Sequence, residues 1–214
     1  MSIILCFISC SLLCRGQEFL YMDKEGEEEK QIHISKKLNA GSHLLILTSS
    51  HKYSKHIYPT PGYTSSWQLK DTISSHDFLV ERFQNTLSIS GKYAGGPISK
   101  TVEIDDKPWI NKLDHGLSAW VLSDEDELVF WALRLSSDLD PIEFEAEKVD
   151  REEIFTPAGS FRAIKVKLRL HGFFISNLWS ATLWYREKDG LFIKYQGDSG
   201  PGTSLRTIEL ENIL

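Results

Sequence analysis

The sequence predicts a mainly-β protein: a single, strongly curled antiparallel sheet or open barrel of about ten to twelve strands, with one amphipathic helix at about residues 108–122. Three observations carry that expectation. From Gln17 onward apolar and polar residues alternate at period two, the mark of strands with one buried face. Gly, Pro and Asn punctuate these runs at short intervals, with no βαβ rhythm and no internal repeat. One stretch alone changes to helical spacing.

Taken in order, Ile32 and Ile34 alternate with Gln31, His33 and Ser35, and Leu44–Leu47 is a short apolar run. Lys52-Tyr53-Ser54-Lys55, flanked by His51 and His56, reads as a solvated strand edge. Trp67 with Leu69, Phe78 with Val80, Leu87 with Ile89 and Val102 with Ile104 repeat the alternation. Breaks fall at Asn39-Ala40-Gly41, Pro59-Thr60-Pro61-Gly62, Gly91 and Gly95-Gly96-Pro97. Ile110, Leu113, Leu117, Trp120 and Val121 then take helical spacing. Asp105-Asp106 are its candidate N-caps and Pro108 lies in its first turn. Gly116 inside it predicts close packing on the sheet.

Strands resume with the nearly all-apolar Leu128–Leu135. Glu143, Glu145 and Glu147 then alternate with Ile142, Phe144 and Ala146, and Lys165, Lys167 and Arg169 form a matching basic stripe. Opposite charges on one face of neighbouring strands predict cross-strand pairs. Glu187-Lys188-Asp189-Gly190 turns one strand into the next, and a last strand runs from about Ser204 to Leu210. More strands than one flat sheet accommodates imply curling. Residues 17–214 read as a single antiparallel β domain.

Length and charge narrow the function classes. The chain has 214 residues, 41% hydrophobic and 25% charged, with a formal net charge of −6. That composition excludes a disordered or collagen-like chain, and the acidic balance argues against a nucleic-acid partner. Residues 1–16 hold all three cysteines, Cys6, Cys10 and Cys14, in an apolar run of signal-peptide length. The run falls short of the roughly 20 residues that span a bilayer, so an integral membrane protein is not expected. Export to the periplasm or cell envelope is the first expectation, a buried first strand the second. The greasy setting of the cysteines argues against metal ligation.

No cofactor, metal or catalytic signature survives inspection. Gly197-Asp198-Ser199-Gly200-Pro201 is similar to a serine-protease nucleophile loop, but only a short tail follows it and no matching base is evident. It reads as a polar turn. The seven histidines lack metal-binding spacing. Asp105, Asp106, Asp114 and His115 would make a carboxylate–imidazole site only if they converged in one cleft.

The aromatic content says more. Six tryptophans and the runs Phe130-Trp131, Phe173-Phe174 and Trp179…Trp184-Tyr185 exceed what a small sheet needs. They fill a core or line a cavity for an apolar ligand, and both readings stay open. The candidate ligand-binding residues are Trp109, Leu113, Leu117, Trp120, Trp131, Trp179 and Trp184.

Thr156-Pro157-Ala158-Gly159-Ser160-Phe161-Arg162-Ala163-Ile164-Lys165-Val166, Leu183-Trp184-Tyr185-Arg186 and Thr207-Ile208-Glu209-Leu210 carry a family likeness. Over about residues 140–210 the chain resembles the bacterial domain-of-unknown-function family 3108, a set of uncharacterised exported proteins. The resemblance implies a curled antiparallel sheet around one helix, similar in style to periplasmic lipoprotein carriers, and implies no activity. In physical terms Pro157 fixes φ, Gly159 permits a conformation other residues resist, and Phe161 begins burial.

The leading expectation is a non-enzymatic envelope protein that shelters an apolar or lipid-like ligand between sheet and helix. A scaffold that meets another envelope protein through a sheet edge or the Tyr53–Tyr63 segment comes next, and a hydrolase third.

Overall fold

Period-two alternation sets the first strand: in β1 (Gln17–Glu25) the buried side chains are Phe19, Tyr21 and Asp23. The structure, a computed structural model, describes residues 16–39, 41–59, 63–135, 139–172, 179–198 and 204–214. The apolar segment with Cys6, Cys10 and Cys14, the Phe173-Phe174 pair, Asp138 and the Ser199–Pro201 part of the polar turn lie outside the described residues.

An antiparallel meander continues through β2 (Glu28–Asn39), β3 (Ser42–Thr48), β4 (Lys52–Tyr58), β5 (Ser66–Asp71), β6 (His76–Phe83), β7 (Thr86–Tyr93) and β8 (Gly96–Glu103). A crossing segment follows, with the one-turn helices α1 (Leu113–Gly116) and α2 (Ser118–Val121). A second meander comprises β9 (Glu127–Leu133), β10 (Pro141–Thr156), β11 (Gly159–Leu170), β12 (Ser180–Arg186), β13 (Phe192–Asp198) and β14 (Leu205–Ile213). The first and last strands pair antiparallel, Tyr21 opposite Leu210 and Asp23 opposite Ile208. All fourteen strands thus share one sheet in the order β8-β7-β6-β5-β4-β3-β2-β1-β14-β13-β12-β11-β10-β9.

The expected strongly curled sheet or open barrel of ten to twelve strands is corrected by this ladder. It is one broad open sheet whose ends, β8 and β9, share no ladder. The reason is local. The outer edge of β9 is already taken by the crossing segment, where Trp131 N–H donates to Pro108 O and Ile110 N–H donates to Trp131 O, both at 2.8 Å. Strand β4 is corrected as well, since it lies inside the sheet between β3 and β5 rather than at an edge.

The single helix at 108–122 also gives way. Residues 104–112 are extended or turned, and the two helical turns meet at Leu117, with φ −85° and ψ −9°. Asp105-Asp106 cap nothing here; Lys112 occupies the N-cap position without a side-chain cap. Asp105 Oδ1 instead accepts from the Lys107 amide, and Arg82 of β6 donates to the carbonyls of Asp105 and Lys107. Such side-chain bonds offer the backbone an alternative to helix. The apolar spacing still reports burial, because Ile110, Leu117, Trp120 and Val121 are all buried. Gly116 packs closely, but against the crossing segment itself rather than the sheet: a Cβ there would come within 2.4 Å of Ile110 Cγ2, with Tyr58 of β4 at 3.8 Å.

Two apolar clusters form. The larger joins β1–β4 and β9–β14 to the helical turns through Tyr21, Leu45, Leu117, Phe130, Val166 and Phe192. The smaller gathers Trp67, Phe78, Val80, Leu87 and Ile89 under Trp109. The predicted charge stripes meet, with Glu145 opposite Arg169 and Glu147 opposite Lys167, and Arg169 pairs with both carboxylates. Gly159 sits at φ +129° directly after the Pro157-Ala158 tip that joins β10 to β11.

Candidate functional site

The crossing segment is held by several hydrogen bonds before the first helical turn begins. Besides its two bonds to Trp131, Trp109 O accepts from the Thr64 amide at 2.8 Å, and Asn111 Oδ1 accepts from the Leu133 amide at 2.7 Å. This places Asn111 and Lys112 across from the inward side chains of β2–β5. Between them lies an open cleft of about 450 Å³.

Its floor is apolar, made by Ile32, Leu47, Trp67, Leu69, Leu133 and Leu135. Its charged lining comes from Asp23, Lys30, Lys52, Asp71, Lys112 and Arg206. Asp23 is buried because it continues the inward phase of Phe19 and Tyr21. It is paired twice: Arg206 donates through Nε and Nη2, each at 2.8 Å, and Lys30, opposite in register, stands at 3.2 Å. Burial pushes the Asp23 carboxyl up, but the Arg206 hydrogen bonds and the Lys30 charge outweigh it and hold the group below its usual value.

One wall carries the His56 and Trp67 rings, and Tyr58 continues their stack beyond the cleft lining. Tyr58, His56 and Trp67 stack at centroid spacings of 6.2 and 6.0 Å. Ser54 Oγ lies 2.9 Å from His56 Nε2 and accepts from Trp67 Nε1 at 3.0 Å. Burial first, then the nearby Lys112, hold His56 down to about 3, so it stays neutral and is a poor proton acceptor at neutral pH.

Behind Lys112 lies a buried polar layer. Lys112 pairs with Asp114 Oδ2, and Tyr185 Oη donates to Leu113 O at 2.7 Å. Asp114 Oδ1, His115 Nε2 and Tyr58 Oη have no partner among the described residues. Burial holds His115 down to about 4 against the pull of Asp114. The four groups that would form a hydrolytic site do not converge: Asp105 is bound by Lys107 and Trp131 Nε1, Asp106 is exposed, and only Asp114 and His115 lie together. The Lys107 hydrogen bond, with help from Trp131, holds Asp105 down to about 2. Among the described residues no three His, Cys, Asp or Glu side chains could share a metal ion, and no helix is long and apolar enough to cross a membrane.

The seven sequence-derived candidates are dispersed. Trp109 is fully buried in the smaller cluster and bridges to Trp131, whose ring lies under Lys107. Leu117 and Trp120 are packed in the larger cluster, with Lys148 over the Trp120 ring. Trp184 is buried between its register neighbours Lys165 and Lys194 and donates to Glu152 Oε1 at 2.6 Å. Only Leu113 and Trp179 come together at an opening, a cleft of about 250 Å³ that adjoins the large one through Asn111, Lys112 and Arg206. Sequence inspection missed the cationic lining. The available signal was a polar residue in the inward phase: Asp23 after Tyr21, and Ser54 and His56 before Tyr58.

No protein-family model matches the chain, and no curated protein does. One solved structure shares its fold, and two others align more weakly. A beta-barrel-like protein of domain of unknown function DUF1849 from Brucella abortus aligns with TM-score 0.59 at 8% identity, covering 92% of this chain and 95% of that one. A protein described as exported, with a YmcC-like fold, from Bacteroides fragilis gives 0.36 at 10% identity over 92% and 95%. A protein described as a lipoprotein from Parabacteroides distasonis gives 0.38 at 11% over 94% and 95%. The likeness is one of fold, to the beta-barrel-like DUF1849 protein, and not to family 3108 in particular.

Proposed function

We propose that this chain is an exported envelope protein that shelters a lipid-like ligand, and that the ligand lies in the cleft between β2–β5 and the Asn111–Leu113 segment. The observation that carries this is the cleft itself: about 450 Å³, with Trp67, Leu69 and Leu133 on its floor and a charged rim. That size falls within the roughly 300–1,000 Å³ of small-molecule sites. Leu113 and Trp179, at the adjoining opening, extend the apolar path. Of the sequence-derived candidates these two belong to the proposed site, and Trp109 and Trp131 pack in the cluster that holds its Trp67, Leu69 and Leu133. Export rests on the apolar segment at residues 3–14, whose length suits a signal peptide.

The test is native mass spectrometry with solvent extraction of purified protein, and titration with a dansyl-labelled fatty acid. One bound probe per chain is expected, weakened at least about tenfold by Ile32→Trp, which fills the cleft. Protein that carries no lipid and binds no acyl probe would sink the proposal.

A partner protein is the second reading, and one observation favours it: among the described residues β8 shares a ladder only with β7 and its outer edge is unpaired. Cross-linking in cells that captures a single stoichiometric partner on β8 would select it.

A further inference from the structure

We infer that the cleft holds its ligand by an anionic group, a phosphate, sulfate or carboxylate, seated against Lys52 with Lys30, Lys112 and Arg206 around it. The inference rests on the cleft being the ligand site and names the head group of that ligand.

Charge placement carries it. The chain as a whole is acidic, at −6. Yet the cleft is lined by four basic side chains, Lys30, Lys52, Lys112 and Arg206, against the carboxylates of Asp23 and Asp71, with Asp114 behind Lys112. Composition would predict the reverse sign, so the surplus is local. Two of those cations share one carboxylate, since Lys30 and Arg206 both pair with Asp23. Lys112 is taken by Asp114. Asp71 accepts the amides of Ile73 and Ser74 at 3.0 and 3.1 Å.

Lys52 is left without an ion pair among the described residues. It is half-buried, lies opposite Asp71 in the β4–β5 register, and has three like charges around it. Burial and the charges of Lys112, Arg206 and Lys30 push its ammonium below the usual lysine value, with Asp71 the opposing influence. Asp71 alone is set against those three cations, so an anion seated in the cleft would stabilise the ammonium further. The apolar floor below it, Leu47, Leu69 and Leu133, suits a chain attached to that anion. An anionic amphiphile satisfies both surfaces, whereas a neutral one leaves Lys52 with Asp71 alone against three like charges.

Calorimetric titration with dodecyl phosphate, dodecyl maltoside and inorganic phosphate, all below micelle-forming concentrations, decides it. Wild-type protein is expected to bind dodecyl phosphate at least about tenfold tighter than dodecyl maltoside, with the ratio shrinking at high salt. Lys52→Gln is expected to bring the ratio within about threefold, and Lys52→Arg to restore it. Should Lys52→Gln fail to fold, the wild-type ratio and its salt dependence decide alone. Equal binding of both dodecyl compounds overturns the anionic head group and leaves the lipid-sheltering proposal standing. Inorganic phosphate bound through Lys52, with no gain from the dodecyl chain, upholds the anion site and overturns the amphiphile. Binding of none of the three overturns both.

Discussion

Tyr185 of β12 donates its hydroxyl to the carbonyl oxygen of Leu113 at 2.7 Å, joining residues 72 positions apart. Leu113 opens the first helical turn, so this bond fixes where the crossing segment leaves the sheet. Tyr185 is fully buried and its neighbour Phe192 packs edge-on against it. Tyr185→Phe keeps the ring and leaves the carbonyl unpaired. The expected loss is about 1–2 kcal/mol by urea unfolding. Weaker acyl-probe binding is expected with it, since Leu113 borders the adjoining cleft.

Gly91 of β7 lies opposite Phe78 at φ +129°. A Cβ there would meet Asp77 O at 2.3 Å and Phe78 Cα at 2.8 Å, both backbone atoms that cannot swing aside. Gly91→Ala is expected to cost about 3 kcal/mol or more. Gly41→Ala is the control: its site is open though its φ is +81°, so about 1 kcal/mol is expected. Equal midpoints for the two variants would contradict the close approach.

Arg206 and Asp23 tie β14 to β1 through a two-pronged pair whose carboxylate is buried. Arg206→Gln strands that carboxylate with Lys30 alone, for an expected loss of roughly 2–3 kcal/mol. The double variant Asp23→Asn/Arg206→Gln is expected to lose less than the sum of the singles. Because the Asp23 carboxyl is held below its usual 3.8, the pair stabilises above that pH and fades as the pH falls beneath it.

Histidine burial gives a second pH window. His56 and His115 drop from 6.5 to about 3 and about 4, so the unfolded chain takes up protons that the folded chain refuses. Stability from this source is full above pH 6.5 and declines as the pH falls toward those folded values. The slope approaches about 1.4 kcal/mol per pH unit for each histidine. His115→Phe, set among Phe19, Tyr21 and Phe192, is expected to flatten the decline in thermal midpoint between pH 6.5 and 4. An unchanged slope would count against it.

How much was legible follows from where polarity fell. Strands with apolar inward faces, such as Leu87/Ile89 and Ile164/Val166/Leu168, stood out by alternation alone. β4 was mistaken for an edge because its inward face is Ser54, His56 and Tyr58, which no hydropathy pattern distinguishes from a wet face. The Glu145–Arg169 pairing was readable because complementary stripes on consecutive strands have one natural register. The cleft was not. Its cations come from Lys30, Lys52, Lys112 and Arg206, on β2, β4, the crossing segment and β14, and only the sheet order brings them together. The helix was over-read, since burial at helical spacing does not require an unbroken helix where Asp105 and Asn111 bind backbone amides of the segment and of β9.

The β1–β14 junction has a kinetic consequence. Every other neighbour in the sheet is reached through a local connection, so each meander can zip up as soon as its own strands emerge from a translocon or ribosome. The central seam cannot: β1 waits with a bare edge for a strand that arrives nearly two hundred residues later. Through that interval the bare edge is open to pairing with another chain, so losses to aggregation are expected to grow with the concentration of newly made protein.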